Sequence, residues 1–188
     1  PVVVKEELVR RAEALCSEKP IVKVLPMPTK RVHLVVTGSE VFTGRIKDGF
    51  GPVVTKKVTE LGSKIESVKL APDDPDVIAG DIKNAKQAGA DVILVSGGMS
   101  VDPDDKTPEG IRRSGAVVET HGFPVLPGSM FLMAYLGDTP VMGLSGCVLH
   151  DPFTAFDVLL PRLLAGEKIT RAEIMAMGHG GLQRKHDH

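Results

Sequence analysis

Asp91-Val92-Ile93-Leu94-Val95 runs without a break into Ser96-Gly97-Gly98. Four consecutive apolar residues with no polar alternation read as a strand covered on both faces, the pattern of a buried parallel sheet. Working upstream, Asp74-Pro75 is a helix cap followed by proline at the first helical position. Ile78, Ile82 and Ala85 form that helix's buried stripe, and Gly89 stops it. Ile65–Leu70 reads as another strand. Before it, Asp48 caps a helix that runs to Leu61 with Val54, Val58 and Leu61 on one face. Pro52 is tolerated near its first turn, and Gly62 ends it. Val32–Val36 is apolar apart from His33, which is expected to be a hydrogen-bonded core residue. Downstream, Thr107-Pro108-Glu109 opens a short helix with Thr107 as its cap, and Gly115 closes it. Three strand–helix units with short connections predict an α/β fold in three layers: a mostly parallel, doubly wound sheet with helices on both faces.

The flanks differ in texture. Met130–Leu136 and Val141–Leu144 bracket Gly137-Asp138-Thr139-Pro140, which predicts a short hairpin near the C-terminal part. A last helix is expected from Asp151-Pro152 through Phe156, Leu159 and Leu163, kinked at Pro161. At the other end Val4, Leu8, Ala12 and Leu15 make one narrow helical stripe, expected to pack on its neighbour. A linker with three prolines follows, Lys19–Pro28. The expected organisation is a helical arm and linker over residues 1–30, one α/β domain over 31–182, and a tail over 183–188 with solvated histidines. Because it begins at Pro1 and not Met, the sequence is read as a fragment or a processed form.

The 188 residues are 42% hydrophobic and 25% charged, an ordinary globular mixture. A net charge of −1 argues against nucleic-acid binding by bulk electrostatics. No apolar run approaches 18 residues, so no membrane span is expected. Two cysteines, Cys16 and Cys147, build neither a disulfide framework nor a four-thiolate metal site, and reduced thiols in a cytoplasmic protein are the simplest reading.

Ligands of open α/β sheets sit beyond the carboxyl ends of the strands, and three loops map there. The first is Thr37-Gly38-Ser39-Glu40 continuing through Gly44 to Asp48. The second is Gly97-Gly98-Met99-Ser100 continuing to Asp105, and the third is Leu144-Ser145-Gly146-Cys147. Glycine turns let backbone N–H groups close on an anion, so a phosphate-bearing ligand is chemically sensible, with Lys47 and Lys106 as the nearest basic partners. Residues 71–110 carry a local charge of −6. Carboxylates beside a phosphate repel it unless Mg²⁺ intervenes; the same aspartates also suit helix starts and solvated turns. There is no Gly-x-Gly-x-x-Gly fingerprint and no Walker sequence. Cys147 with His150 reads as a structural thiol, not a nucleophilic pair.

In their order and spacing these loops resemble the molybdopterin-binding domain of molybdenum-cofactor biosynthesis proteins, the family of molybdopterin adenylyltransferases and molybdenum-insertion proteins. The resemblance spans roughly residues 31–165. Thr37-Gly-Ser-Glu40 with Gly44-Arg-Ile-Lys-Asp48 is similar to the insertion proteins' opening motif, and Ser96-Gly-Gly-Met-Ser-Val101 to their glycine loop. Asp105-Lys-Thr-Pro-Glu109 looks like the adenylyltransferase pattern, while Pro127-Gly128 and Leu144-Ser-Gly146 are similar to later family features. Departures are Ser39 for aspartate, Phe50-Gly51 after Asp48, Ser145 for proline, and Cys147-Val148 for the final amide-proline pair. The resemblance implies a domain, often trimeric, that holds molybdopterin or its adenylylated form. Thr37, Gly38, Glu40, Gly97, Gly98, Met99, Ser100, Pro127, Gly128, Ser145 and Gly146 would bind it. Asp48 and Asp105 would act as functional acids or Mg²⁺ ligands. It implies work in cofactor biosynthesis or delivery, or Mg-ATP-dependent adenylylation of the pterin, or a scaffold that keeps the fold without chemistry.

Overall fold

A computed structural model describes residues 3–17, 22–99, 102 and 105–179. Six strands form one sheet: β1 Arg31–Thr37, β2 Lys64–Ala71, β3 Val92–Ser96, β4 Val117–His121, β5 Leu132–Leu136 and β6 Thr139–Leu144, in the order β2-β1-β3-β6-β5-β4. β2, β1, β3 and β6 are parallel, and β5 alone runs against its neighbours. β3 is buried at every position, as its uninterrupted apolar run requires. The β5–β6 hairpin turns on Gly137-Asp138, where Gly137 takes a positive φ of 61°.

Helices cover both faces. α3 (Phe50–Glu60), α6 (Ala155–Leu164) and α7 (Arg171–Ala176) bury Val54, Val58, Phe156, Leu159, Leu163 and Ile174 against Val32, Leu34 and Val36 of β1 and Leu94 of β3. α4 (Pro75–Gln87) and α5 (Thr107–Arg113) bury Ile78, Ile82 and Ile111 against Val35, Ile93 and Val95. The alternation of β1 and β3 between the two groups is the two-residue period of a strand sandwiched between layers. The expected three-layer, doubly wound architecture is therefore the one observed.

Several local expectations need correction. Asp74 caps α4, accepting from Asp76 and Val77, with Pro75 next in line as expected. Thr107, however, is not a cap: it lies one position inside α5 and is fully buried. α6 starts at Ala155, not Asp151, because Thr154 and Asp157 close a reciprocal capping box there, and the helix continues through Pro161 to Leu164. β4 and α7 carry no strong periodicity, and the sequence pattern does not announce them. His33 is half-buried, and its Nδ1 meets Ser67 Oγ at 2.8 Å. The N-terminal helix exists as α1 (Glu6–Ser17), yet it buries none of its residues, and Leu8 and Leu15 stay exposed. The helix forms on local pattern alone, and the packing expected of its stripe is not made. The tail, with His186 and His188, lies outside the described residues.

α7 carries an electrostatic signature. The Glu173 carboxylate accepts from Thr170 N–H, from Arg162 and from the Thr170 hydroxyl, and these bonds hold its pKa at about 2 against an ordinary 4.5. A depressed carboxylate pKa contributes stability that is fully present above the unfolded value and lost as pH falls through the folded one. Melting temperature is thus expected to drop between pH 4.5 and 2, and Glu173→Gln to flatten that limb; thermal melts across the range measure it. Glu173 is 43% exposed, which keeps the effect small.

Candidate functional site

β1, β3 and β6 are adjacent, parallel and in register at their ends: Val36 pairs with Ser96, and Ser96 with Leu144. The loops that follow them therefore leave from neighbouring points on one rim. The chain turns from β1 outward to β2 and returns on the other face to β3, so the β1/β3 boundary is the switch point where such sheets bind ligands. The segment from β4 to β5 also crosses this rim, since β5 runs downward from it.

At the switch point the first and second loops are knotted together. Thr37 Oγ1 donates to the Ser96 carbonyl oxygen at 2.9 Å and lies 2.7 Å from Thr107 Oγ1, all buried. With the Thr37 proton committed to that carbonyl, Thr107 donates to Thr37. Gly97 and Gly98 both have positive φ, 90° and 51°. A side chain on Gly97 would run into the Thr37 carbonyl, and one on Gly98 would sit 2.9 Å from Thr107 Oγ1. The double glycine is what lets the second loop close onto the first.

The third side is built by α3. Asp48 Oδ1 accepts from Phe50 N–H at 2.8 Å and Gly51 N–H at 3.1 Å, and Oδ2 also takes Gly51 N–H at 3.1 Å, so Asp48 does cap its helix as expected. A Cβ on Gly51 would collide with Asp48 Oδ2; glycine at this position makes the room the carboxylate uses. Gly49 faces Leu149 of the 3-10 turn Gly146–Leu149, which joins the Asp48 loop to the third loop. In that loop Ser145 is buried with its Oγ 3.0 Å from Cys147 Sγ, while Gly146 is exposed with open space where a Cβ would stand.

The remaining expected site residues divide by what they already hold. Gly38 N–H donates to Ala71 at the end of β2, and its carbonyl accepts from Phe42 of α2 (Ser39–Phe42). Glu40 is exposed, and its carbonyl closes the loop by accepting from Arg45 and Ile46. Met99 is a core residue whose thioether packs on Gly143, so only its backbone is available to a ligand. Pro127 follows a cis peptide and accepts from Ala155 N–H at 3.1 Å; Gly128 lies flush against Ala155, so this pair seats the start of α6. Asp105 is half-buried beside α5. Ser100 lies outside the described residues. Ser39 exchanges bonds with Asp73: its N–H donates to Asp73 Oδ2 at 2.7 Å, and Asp73 N–H donates to its hydroxyl at 3.3 Å.

Three groups at this rim do not stand out as site residues from sequence. Thr107 reads there as a cap and Ser96 as a strand end; each falls within a quoted motif but neither is singled out as a binding residue. Lys57 is the third. Its ammonium donates to the Pro152 carbonyl at 2.9 Å and meets Asp157 Oδ1 at 2.5 Å, tying α3 to the far end of the third loop.

Comparison with known proteins follows the same outline. Residues 33–165 match the model of a family described as "Probable molybdopterin binding domain". A CinA-like protein of Mycobacterium leprae is 37% identical over 83 residues, which is 44% of this chain and 19% of that protein; the chain thus aligns with about a fifth of such relatives. MoaB of Thermus thermophilus, a molybdopterin biosynthesis enzyme, superposes with a TM-score of 0.60 at 21% identity, covering 74% of this chain and 98% of that one. The molybdopterin biosynthesis MoeA protein of Pyrococcus horikosii gives a TM-score of 0.60 at 27% identity, covering 84% of this chain and 40% of that one.

Proposed function

The chain belongs to the probable molybdopterin binding domain family, and from that premise we propose that it binds molybdopterin or its adenylylated form at this rim, in molybdenum-cofactor biosynthesis or delivery. The observation that carries the reading is the closure of the Gly97-Gly98 turn onto Thr37 at the switch point, beside an Asp48 loop and an uncrowded Gly146 on adjacent strand ends. Backbone N–H groups in such turns suit a phosphate.

Mg²⁺ fits this rim only in a limited way. Both Asp48 oxygens already accept backbone N–H groups, and among the described residues no group of three or more acidic, histidine or cysteine side chains could cage a cation. The metal would be held by Asp48 and Asp105 at most, and completed by ligand phosphate and water, the usual habit of Mg²⁺. Bound there it would neutralise phosphate charge. The protein's own part is to present the carboxylates and the glycine turns.

Adenylyl transfer draws on the Asp105–Glu109 stretch. Thr107 and Pro108 are buried at the start of α5, and Glu109 pairs with Arg113, so chemistry by that pattern would fall to Asp105. Binding is therefore the better supported function. A cytoplasmic setting and assembly as a homotrimer belong to the same reading, and light scattering of the purified protein measures the second.

Anaerobic titration with molybdopterin tests the proposal: saturable binding is expected, and its absence for both the free and adenylylated pterin would sink it. Asp48→Ala is expected to lose about 1 kcal/mol of stability through the cap and to weaken binding. Asp48→Asn keeps an oxygen for the cap, so any loss of Mg²⁺-dependent affinity in that variant isolates the charge.

A further inference from the structure

We infer that the outer edge of β2 is a self-association surface: two copies of this chain pair their β2 strands antiparallel about a two-fold axis at Val68, and the sheet runs on from one copy into the other. The inference goes beyond the pterin-binding reading and does not draw on it.

β2 is outermost in the sheet and, among the described residues, pairs only with β1. Every residue of the strand except Ile65 and Ala71 is exposed. The outer row of backbone N–H and C=O groups on such a strand is a template for another strand. β4, the sheet's other edge, has five residues against eight in β2 and is bulged between Val118 and Thr120. A short, bulged edge is turned away from pairing. β2 has an irregularity of its own, but it falls at Glu66, between the partners of Val32 and His33. From there residues 67–71 run in unbroken register.

An apolar face accompanies this edge. Val68 and Leu70 pair with Leu34 and Val36, which belong to the core beneath α3, so both point to the α3 face. Neither is covered there: Val68 is 45% and Leu70 36% exposed. α2 lies against the same strand and adds Phe42, 51% exposed. A two-fold axis perpendicular to the sheet keeps both α3 faces on one side, so Val68 and Leu70 of the two copies line the same side of the joint.

Charge decides the occupant and the register. Lys64, Glu66 and Lys69 alternate in sign along the strand. Parallel in-register pairing sets each of them against its own kind, and antiparallel pairing centred on Lys69 opposes two ammonium groups; both are unfavourable. Antiparallel pairing centred on Val68 opposes Val68 to Val68 and Lys69 to Ser67. Glu66 of the facing copy is then next in line to the lysine, and symmetry makes the arrangement twice. A strand that complements itself in one register and repels itself in the next fits a second copy of this chain.

The test has two arms. Sedimentation velocity compares the parent with Val68→Glu, which brings two carboxylates together at the axis. The expected parent holds two chains, or six where the edge joins trimers, and the variant half that number. Disulfide trapping uses Val68→Cys in a Cys16→Ser, Cys147→Ser background. Facing Cα atoms in an antiparallel pair lie about 4.5–5.5 Å apart, within disulfide reach, so mild oxidation is expected to give a covalent dimer. Val117→Cys in the same background, on the β4 edge at a position 69% exposed, is expected to stay uncoupled. A parent of one or three chains, an unchanged mass in Val68→Glu, no bridge in Val68→Cys, or equal bridging in Val117→Cys would each overturn the inference. Should Val68→Glu fail to fold, the parent mass and the trapping arm decide it. None of these outcomes bears on molybdopterin titration, so the pterin reading stands or falls separately.

Discussion

Gly97→Ala is expected to lower stability by about 3 kcal/mol or more and to abolish pterin binding at concentrations that saturate the parent. Two costs combine at this residue. Its φ of 90° is open to glycine and strained for alanine, and a Cβ there has nowhere to go but into the carbonyl oxygen of Thr37, with Thr37 Oγ1 2.8 Å away. The obstacle is backbone and a buried hydroxyl engaged at both ends, so neither can swing aside as a lysine tip would. Relief requires the second loop to lift off the first, which separates Thr37 from Thr107 and opens the switch point. Gly62 supplies the control. It has a comparable φ of 77° with nothing within 4 Å of an added Cβ, so Gly62→Ala bears the cost of the dihedral alone, about 1 kcal/mol. Thermal melts of the pair separate strain from collision: a difference of roughly 5 °C or more is expected at this chain length. Equal losses would mean that the Gly97 turn yields without cost and that the knot is not what shapes the rim.

Gly97 also shows how far the chain can be read before any coordinates. The strand that precedes it is unmistakable, because a residue row buried on both faces has no freedom to vary in polarity, and β1 and β3 both carry that mark. The glycines after β3 are legible as a turn. What they close upon is not, since the Thr37–Thr107 bond joins residues 70 apart and nothing in either motif pairs the two threonines. β4 escapes notice for a related reason. It is an edge strand, exposed at both ends with a bulge near Glu119, and strands half in water show only a weak version of the pattern. The start of α6 is misplaced by the plausible Asp151-Pro152 signal. The capping box at Thr154 and Asp157 wins because it satisfies two orphan groups reciprocally, and Lys57 reinforces it from another helix. Of the two acids carried from the resemblance, Asp48 reads correctly as a helix cap, and that role does not compete with a functional one, since a capping carboxylate keeps lone pairs for a metal or a proton.

Lys57→Met carries the other large effect, an expected loss of about 3 kcal/mol. Both partners of the ion pair are only 16% exposed, so the Coulomb attraction is poorly screened and neither group can retreat to water without moving its helix. Methionine fills the space of the lysine stem but strands two acceptors, the Pro152 carbonyl and Asp157 Oδ1. Asp157 does not come free altogether, because Oδ2 still accepts from the Thr154 N–H and hydroxyl. That division points to the rescue. Asp157→Asn in the Lys57→Met background removes the uncompensated charge while its amide oxygen keeps the capping bonds, and the double variant is expected to recover more than half of the loss. Arginine at 57 should fare worse than the parent, since its longer planar fork does not fit a site shaped around one ammonium bonded to two oxygens. A double-mutant cycle of Lys57 and Asp157 by chemical denaturation should give a coupling energy of about 1.5–3 kcal/mol; a value near zero would reduce the pair to a surface contact. Because α3 begins beside Asp48 and the tethered loop contains Ser145 and Gly146, the same loss should loosen the Asp48 loop against the third loop. Pterin affinity in Lys57→Met is therefore expected to fall at temperatures well below the melt, where the fold is intact, and to return with the Asp157→Asn rescue.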